Sequence, residues 1–209
     1  MTKLACTFFI CCILFIACTN TEKNSDQTEK KADTPIVHTG AANPYATIDI
    51  SPMDMSYFPV NYPQRKMTHD ISTPPVMRVI YSRPHRQGRT IFGNLLKYGE
   101  RWRLGANEAS EIEFFQNVTI QNKKVNAGSY VIYCIPYQDK WTIVFNTNLY
   151  SWGLKQEASK DVYRFTSPAL TSKTDIEYFT MVFENETTDK TAFLLITWDD
   201  VLVRLPINF

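Results

Sequence analysis

From Tyr45 onward, apolar residues recur in short alternating runs separated by turn residues. Val76-Met77-Arg78-Val79-Ile80-Tyr81 is one such run, and Glu111-Ile112-Glu113-Phe114-Phe115 is another. Val118-Thr119-Ile120 and Gly128 to Ile135 flank a hairpin around Asn122-Lys123. Asn suits the positive φ of a tight turn, but Lys123 stands where Gly would be easier, so a longer turn is expected. Trp141 to Phe145, Asp161 to Thr166, Glu177 to Phe183 and Thr191 to Trp198 continue the series, and Asp199-Asp200 predicts a turn into Val201 to Leu205. A period of two, rich in β-branched and aromatic residues, predicts strands. Close spacing without helical periods between them predicts an all-β fold: a single antiparallel β-sandwich or jelly-roll-like domain over 76–209. One short helix is expected at Ile91 to Tyr98, weakened by Gly93.

The chain before Val76 reads differently. Pro52, Pro59, Pro63, Pro74 and Pro75 interrupt residues 46–75, which predicts an extended arm with at most an edge strand. Thr19 to Asn43 is polar and cannot bury enough surface to fold. Residues 18–45 are therefore expected to form a flexible tether. Lys3 followed by the apolar stretch Leu4 to Ala17 is too short to span a bilayer, which needs about 20 residues. The layout is that of a secretory signal. Ala17-Cys18 resembles a bacterial lipoprotein signal, residues 1–17, with Cys18 lipidated after cleavage. Phe15-Ile16 departs from the usual Leu followed by a small residue. Thr19, rather than Asp, after Cys18 points away from inner-membrane retention. The expected location is the bacterial envelope, as an outer-membrane lipoprotein.

Composition narrows the function classes. The 209 residues are 44% hydrophobic, enough for one domain with a real core. Lys plus Arg is 22 and Asp plus Glu is 21, a balance that gives no support to nucleic-acid binding. Losing Lys3 with the signal leaves the charges even, so acyl chains rather than charge are expected to hold the membrane. Of the five cysteines only Cys134 lies in the body of the chain, which excludes an intramolecular disulfide there. Its apolar neighbours predict a buried, inert thiol.

Candidate chemistry concentrates between Tyr81 and Glu108. Arg78, Arg83, Arg86, Arg89, Lys97, Arg101 and Arg103 lie in or beside this stretch, and Glu100 is the only carboxylate within it before Glu108. Arginine forks suit carboxylate, phosphate or sulfate. The alternative is that the arginines brace a long connection by bonding carbonyls and the acids Glu108, Glu111 and Glu113. The candidate ligand-binding residues are Arg83, Arg89, Trp102, Arg103, Asn107 and Glu108, with Trp102 as a stacking platform. Catalytic templates fit poorly. His38, His69 and His85 are scattered, and neither an HExxH nor a CxxC motif exists, so no metal site and no cofactor are expected. Ser82 near His85 lacks a nucleophile elbow.

Tyr81-Ser82-Arg83-Pro84, Gly88-Arg89, Ile91-Phe92-Gly93, Tyr98-Gly99, Trp102-Arg103 and Gly105-Ala106-Asn107-Glu108 resemble the signature of domain-of-unknown-function family 2911. Ala127-Gly128-Ser129-Tyr130, Trp141 to Asn146 and Trp152-Gly153 are similar to it in the same order. The resemblance runs from about Ser51 to the C-terminus. It implies an envelope domain of Gram-negative bacteria and carries no activity to transfer. The sequence departs from the family in its Pro- and Tyr-rich arm, and at Asn126, where Pro is frequent. The expected function is a non-enzymatic, lipid-anchored domain that binds an anionic or sugar-like ligand or an unidentified protein partner. Two alternatives stand: a hydrolase of envelope glycans with Glu108 as base, and a structural or assembly module without a small-molecule ligand.

Overall fold

The computed structural model describes Tyr45, Thr47, residues 49–185 and residues 190–209. The signal, Cys18 and all of the tether but Tyr45 lie outside the described residues. Nine strands follow in chain order: β1 Met53–Phe58, β2 Met77–Ser82, β3 Glu111–Phe114, β4 Val118–Ile120, β5 Lys123–Val125, β6 Gly128–Pro136, β7 Lys140–Asn146, β8 Asp161–Asn185 and β9 Thr191–Asn208. They join in the order β1-β2-β3-β6-β7-β8-β9-β4-β5, and every pairing is antiparallel. The all-β fold class therefore holds.

The long strands make the sheet fold over on itself. β8 pairs with β7 through its first residues and with β9 from Ala169 onward. Its second half then lies against β1 and β2. Phe58 meets Phe183 edge-on at 6.4 Å, and Tyr81 meets Phe179 at 5.6 Å. Past the end of β2, residues 84–86 pair with 177–179 through Phe179 N–H to Pro84 O and Arg86 N–H to Glu177 O. The enclosed core holds Trp141, Trp198, Phe114, Phe145, Phe165 and Phe179, all essentially inaccessible.

β6 and β7 are covered on both faces. Val131, Tyr133 and Val144 are buried but lie outside the main core cluster. The segment after β7 is tied back to these strands. Tyr133 Oη donates to the Asp161 carboxylate at 2.9 Å, and Asn146 Nδ2 donates to Glu157 O at 2.8 Å. The unbroken apolar run Val131 to Ile135 is the mark of such two-sided burial.

Four local expectations change. Ile91 to Tyr98 forms turns rather than a helix. Gly93 takes φ +83°, and Phe92 pairs with Leu96 instead of continuing a helical ladder. The single α-helix among the described residues, α1 Tyr62–Met67, lies in the proline-rich arm, with Pro63 in its first turn. Asp199-Asp200 does not turn the chain. β9 runs through it, with Asp199 at φ +54° opposite Ile176 at a register shift. The buried Asp199 carboxylate is held from outside the strand, by Arg86 Nε at 3.0 Å and Ile91 N–H at 3.2 Å. Finally, the β4–β5 hairpin turns tightly on Gln121-Asn122, both at positive φ, so Lys123 already belongs to β5.

Candidate functional site

The long connection between β2 and β3 carries the candidate residues, and its backbone is fixed at several points. Trp102 adds to the end of β6 as a strand would. Its N–H donates to Cys134 O at 2.8 Å, and Cys134 N–H donates to Trp102 O at 2.9 Å. Leu104 then adopts φ +56°, which costs a side-chain-bearing residue about 1–2 kcal/mol. Complete burial of its side chain contributes roughly 1.5–3 kcal/mol and outweighs that strain. Ser110 Oγ donates to Leu104 O at 2.6 Å and closes the bend.

These constraints hold Arg103 at the edge of a cavity of about 450 Å³. The cavity lies where the β2–β3 connection meets the loop after β7 and the middle of β9. Arg89, Arg101 and Arg103 line it, together with Trp102, Trp198, Pro84, Leu95, Leu96 and Leu154. Gly105, Ala106 and Gly153 complete the wall. No carboxylate, imidazole, hydroxyl or thiol side chain lines it among the described residues.

The nine arginines divide by partner. Arg78 pairs with Glu113 at 2.7 Å, Arg83 with Asp54 at 3.0 Å, and Arg86 with Asp175 at 2.6 Å as well as with Asp199. Arg164 and Arg204 pair with Asp161 and Glu184. Arg65, on α1, is exposed to an intermediate degree and stands apart from the cavity. The three cavity arginines form no ion pair among the described residues and bond main-chain carbonyls instead. Arg89 Nε donates to Arg86 O at 2.9 Å, and its Nη2 donates to His85 O. Arg101 Nη1 donates to Gln156 O at 3.1 Å. Arg103 Nη1 donates to Asn107 O at 2.6 Å and Trp152 O at 3.2 Å. A carbonyl orients a guanidinium but leaves its charge uncancelled. Partial burial pulls Arg103 below its ordinary pKa, with Glu108 opposing the shift. A guanidinium nevertheless stays charged at any physiological pH.

The structure thus brings Arg89, Trp102 and Arg103 to one cavity wall, from which the other three candidates are absent, although the Asn107 carbonyl accepts from Arg103. Arg83 is a brace: besides Asp54 it bonds Phe179 O and Thr180 Oγ1. Asn107, at φ +58°, donates to Asp49 Oδ2 at 2.6 Å and lines a neighbouring depression. Glu108 is exposed and lines that depression, not the arginine cavity. Trp102 is not an open platform. Its ring packs among Trp198, Trp141, Phe92 and Phe179, and only 7% of the residue is accessible.

Sequence reasoning left Leu154, Trp198 and Arg101 out of the site. Arg101 was visible in the basic cluster. Gly153 offered a signal through the Trp152-Gly153 pair. Nothing local marks Leu154 or Trp198, which arrive from remote strands and loops.

Fold and site together define an all-β domain that carries a basic, apolar-walled cavity open to its surface. A family model described as protein of unknown function (DUF2911) matches residues 62–207. The chain belongs to that family. No curated protein and no solved structure matches it.

Proposed function

We propose that this domain binds a small anionic molecule in the arginine cavity and does not transform it. The observation that carries this reading is the sorting of the arginines. Five of the nine have carboxylate partners, and three of the remaining four meet at one cavity without any among the described residues. Uncancelled cationic charge in a partly enclosed site favours an anion. Among the described residues the lining is guanidinium and apolar side chains, the chemistry of holding an anion. The hydrolase alternative gains nothing from Glu108, which lies on the open surface. Attachment to the outer membrane through a lipidated Cys18 completes the proposal and rests on the sequence pattern at Ala17-Cys18.

The test is a thermal-shift panel of phosphate, phosphate esters, carboxylates and sugar acids, run on the purified protein and on Arg101→Gln and Arg89→Gln. Both arginines are exposed, so the variants should fold. A ligand at a hundred times its dissociation constant stabilises by about 2.7 kcal/mol. A response lost or weakened in both variants is expected. A panel without any response, or an undiminished response in both variants, would refute the reading.

A further inference from the structure

We infer that the ligand of this cavity is an anion with an apolar body, such as an alicyclic, aromatic or acyl phosphate or carboxylate, and not a sugar acid or sugar phosphate. The inference rests on the anion-binding reading above and specifies the rest of the molecule. It follows from which hydrogen-bonding groups the wall supplies and which it lacks.

A sugar ring presents several hydroxyls, each a donor that needs an acceptor when buried. Sites that read such hydroxyls use carboxylates and amides. Here the polar side chains of the wall are guanidiniums, which hold donors and no acceptor. The Trp198 indole N–H, another donor, is already committed to Glu177 O at 3.2 Å. The carbonyls of Asn107, Trp152 and Gln156 already accept from Arg103 and Arg101. His85 O and Arg86 O already accept from Arg89. Sugar hydroxyls turned against this wall would exchange water for few acceptors, and each one covered without a partner costs free energy.

The apolar wall has the opposite preference. Leu95 and Leu154 stand 46% and 69% exposed at the same cavity. A lone exposed leucine means little. Two of them, beside Leu96, Pro84 and the edges of two tryptophans, form a surface that gains by covering an apolar group. The cavity volume of about 450 Å³ suits a small ring or short chain beneath one charged head. Phosphate and carboxylate heads both fit arginine forks, and the probes below distinguish them.

The experiment compares ligands matched in head and ring size. Cyclohexyl phosphate is titrated against glucose 1-phosphate, and cyclohexanecarboxylate against glucuronate, by calorimetry on the purified protein. Inorganic phosphate and cyclohexanol are the single-feature controls. We expect the bare ring to bind at least about tenfold tighter than the sugar within whichever pair binds. We also expect Leu154→Ser to weaken the bare-ring ligand severalfold while leaving inorganic phosphate unchanged. Leu154 is mostly exposed, so this variant should fold. Equal or tighter binding of the sugar member would overturn the apolar-body inference and leave the anion reading standing. Binding of cyclohexanol as tight as that of cyclohexyl phosphate, or no binding by any anion, would remove the anion reading itself.

Discussion

Gly153 couples the fold to the cavity, and replacing it with alanine should destabilise both. Its φ is +78°, a conformation that costs a side-chain-bearing residue about 1–2 kcal/mol. The added Cβ would also lie 2.9 Å from Ala109 Cα, 3.1 Å from Ala109 Cβ and 3.1 Å from Arg103 Cβ. Carbon atoms prefer roughly 3.5–4.0 Å, and a backbone Cα cannot swing aside as a side-chain tip can. Overpacking of this kind costs about 1–3 kcal/mol. Gly99 separates the two contributions. Its φ is +80°, but its nearest new contact would be Tyr137 Cε1 at 3.7 Å, an ordinary distance. Gly99→Ala should therefore lose only the backbone part. Urea unfolding followed by tryptophan fluorescence should place Gly153→Ala about 1–3 kcal/mol below Gly99→Ala. In melting temperature that is roughly 2–12 °C at this chain length. Gly153→Ala should also weaken anion binding, because relief of the clash moves Arg103, whereas Gly99→Ala should not. Equal stabilities for the two variants would show that the close approach at Gly153 does not shape the loop.

Arg83→Met should lower stability by roughly 1–3 kcal/mol, since it removes bonds to Phe179 O and Thr180 Oγ1 and leaves Asp54 without its ion-pair partner. Anion binding should persist, and its loss in this variant would refute the assignment of Arg83 as a brace. Burial, foremost, raises the Tyr81 hydroxyl from its ordinary value to about 12. The folded state thus holds that proton more tightly than the unfolded chain does. The associated stability is complete below about pH 10 and is lost as pH rises toward 12. Circular-dichroism melts of Tyr81→Phe should fall less steeply over pH 10–12 than those of the parent, and parallel slopes would refute the contribution. Cys134 is fully buried and its thiol is raised well above its ordinary value by that burial. In a chain spanning residues 45–209 it should react with a thiol reagent only at the rate of unfolding, and rapid labelling in native buffer would contradict the packing of β6.

Much of the sheet was legible from local pattern, because half-buried strands show their inner face every second residue. Val79, Ile112 and Phe114 alternate inward as the sequence implied. What escaped was long-range. Asp199-Asp200 carries turn chemistry, yet Arg86 and Ile91, more than a hundred residues earlier in the chain, hold the Asp199 carboxylate and the strand continues. Ile91 to Tyr98 carries enough apolar residues for a helix turn, but Ile91 and Phe92 are buried in the sandwich core, and their packing overrides the local preference. Trp102 looked like an exposed aromatic among arginines. Its spacing cannot reveal that β6 binds its backbone and four other rings surround its side chain.

The basic stretch shows why charge counting alone could not choose between bracing and binding. All of the arginines of the stretch make bracing bonds, but they brace in two ways, and the binding proposal rests on the difference. Arg78, Arg83 and Arg86 find acids on β3, β1, β8 and β9, elements whose neighbourhood only the folded sheet creates. Had the remaining arginines followed the same pattern, the stretch would be a closed network with no charge to offer. Arg89, Arg101 and Arg103 instead donate to carbonyls, which fix their positions without neutralising them. A carboxylate partner would have served equally well to order these loops and would have removed a cluster of like charge. Holding them by neutral acceptors therefore leaves a cationic, apolar-walled cavity whose electrostatic deficit a ligand can fill. Introducing the missing partner should abolish the site: Ala106→Glu, on the cavity wall, supplies an internal carboxylate and should eliminate anion binding while preserving the fold. If titration shows anion binding undiminished in that variant, the uncancelled charge is not what the cavity offers.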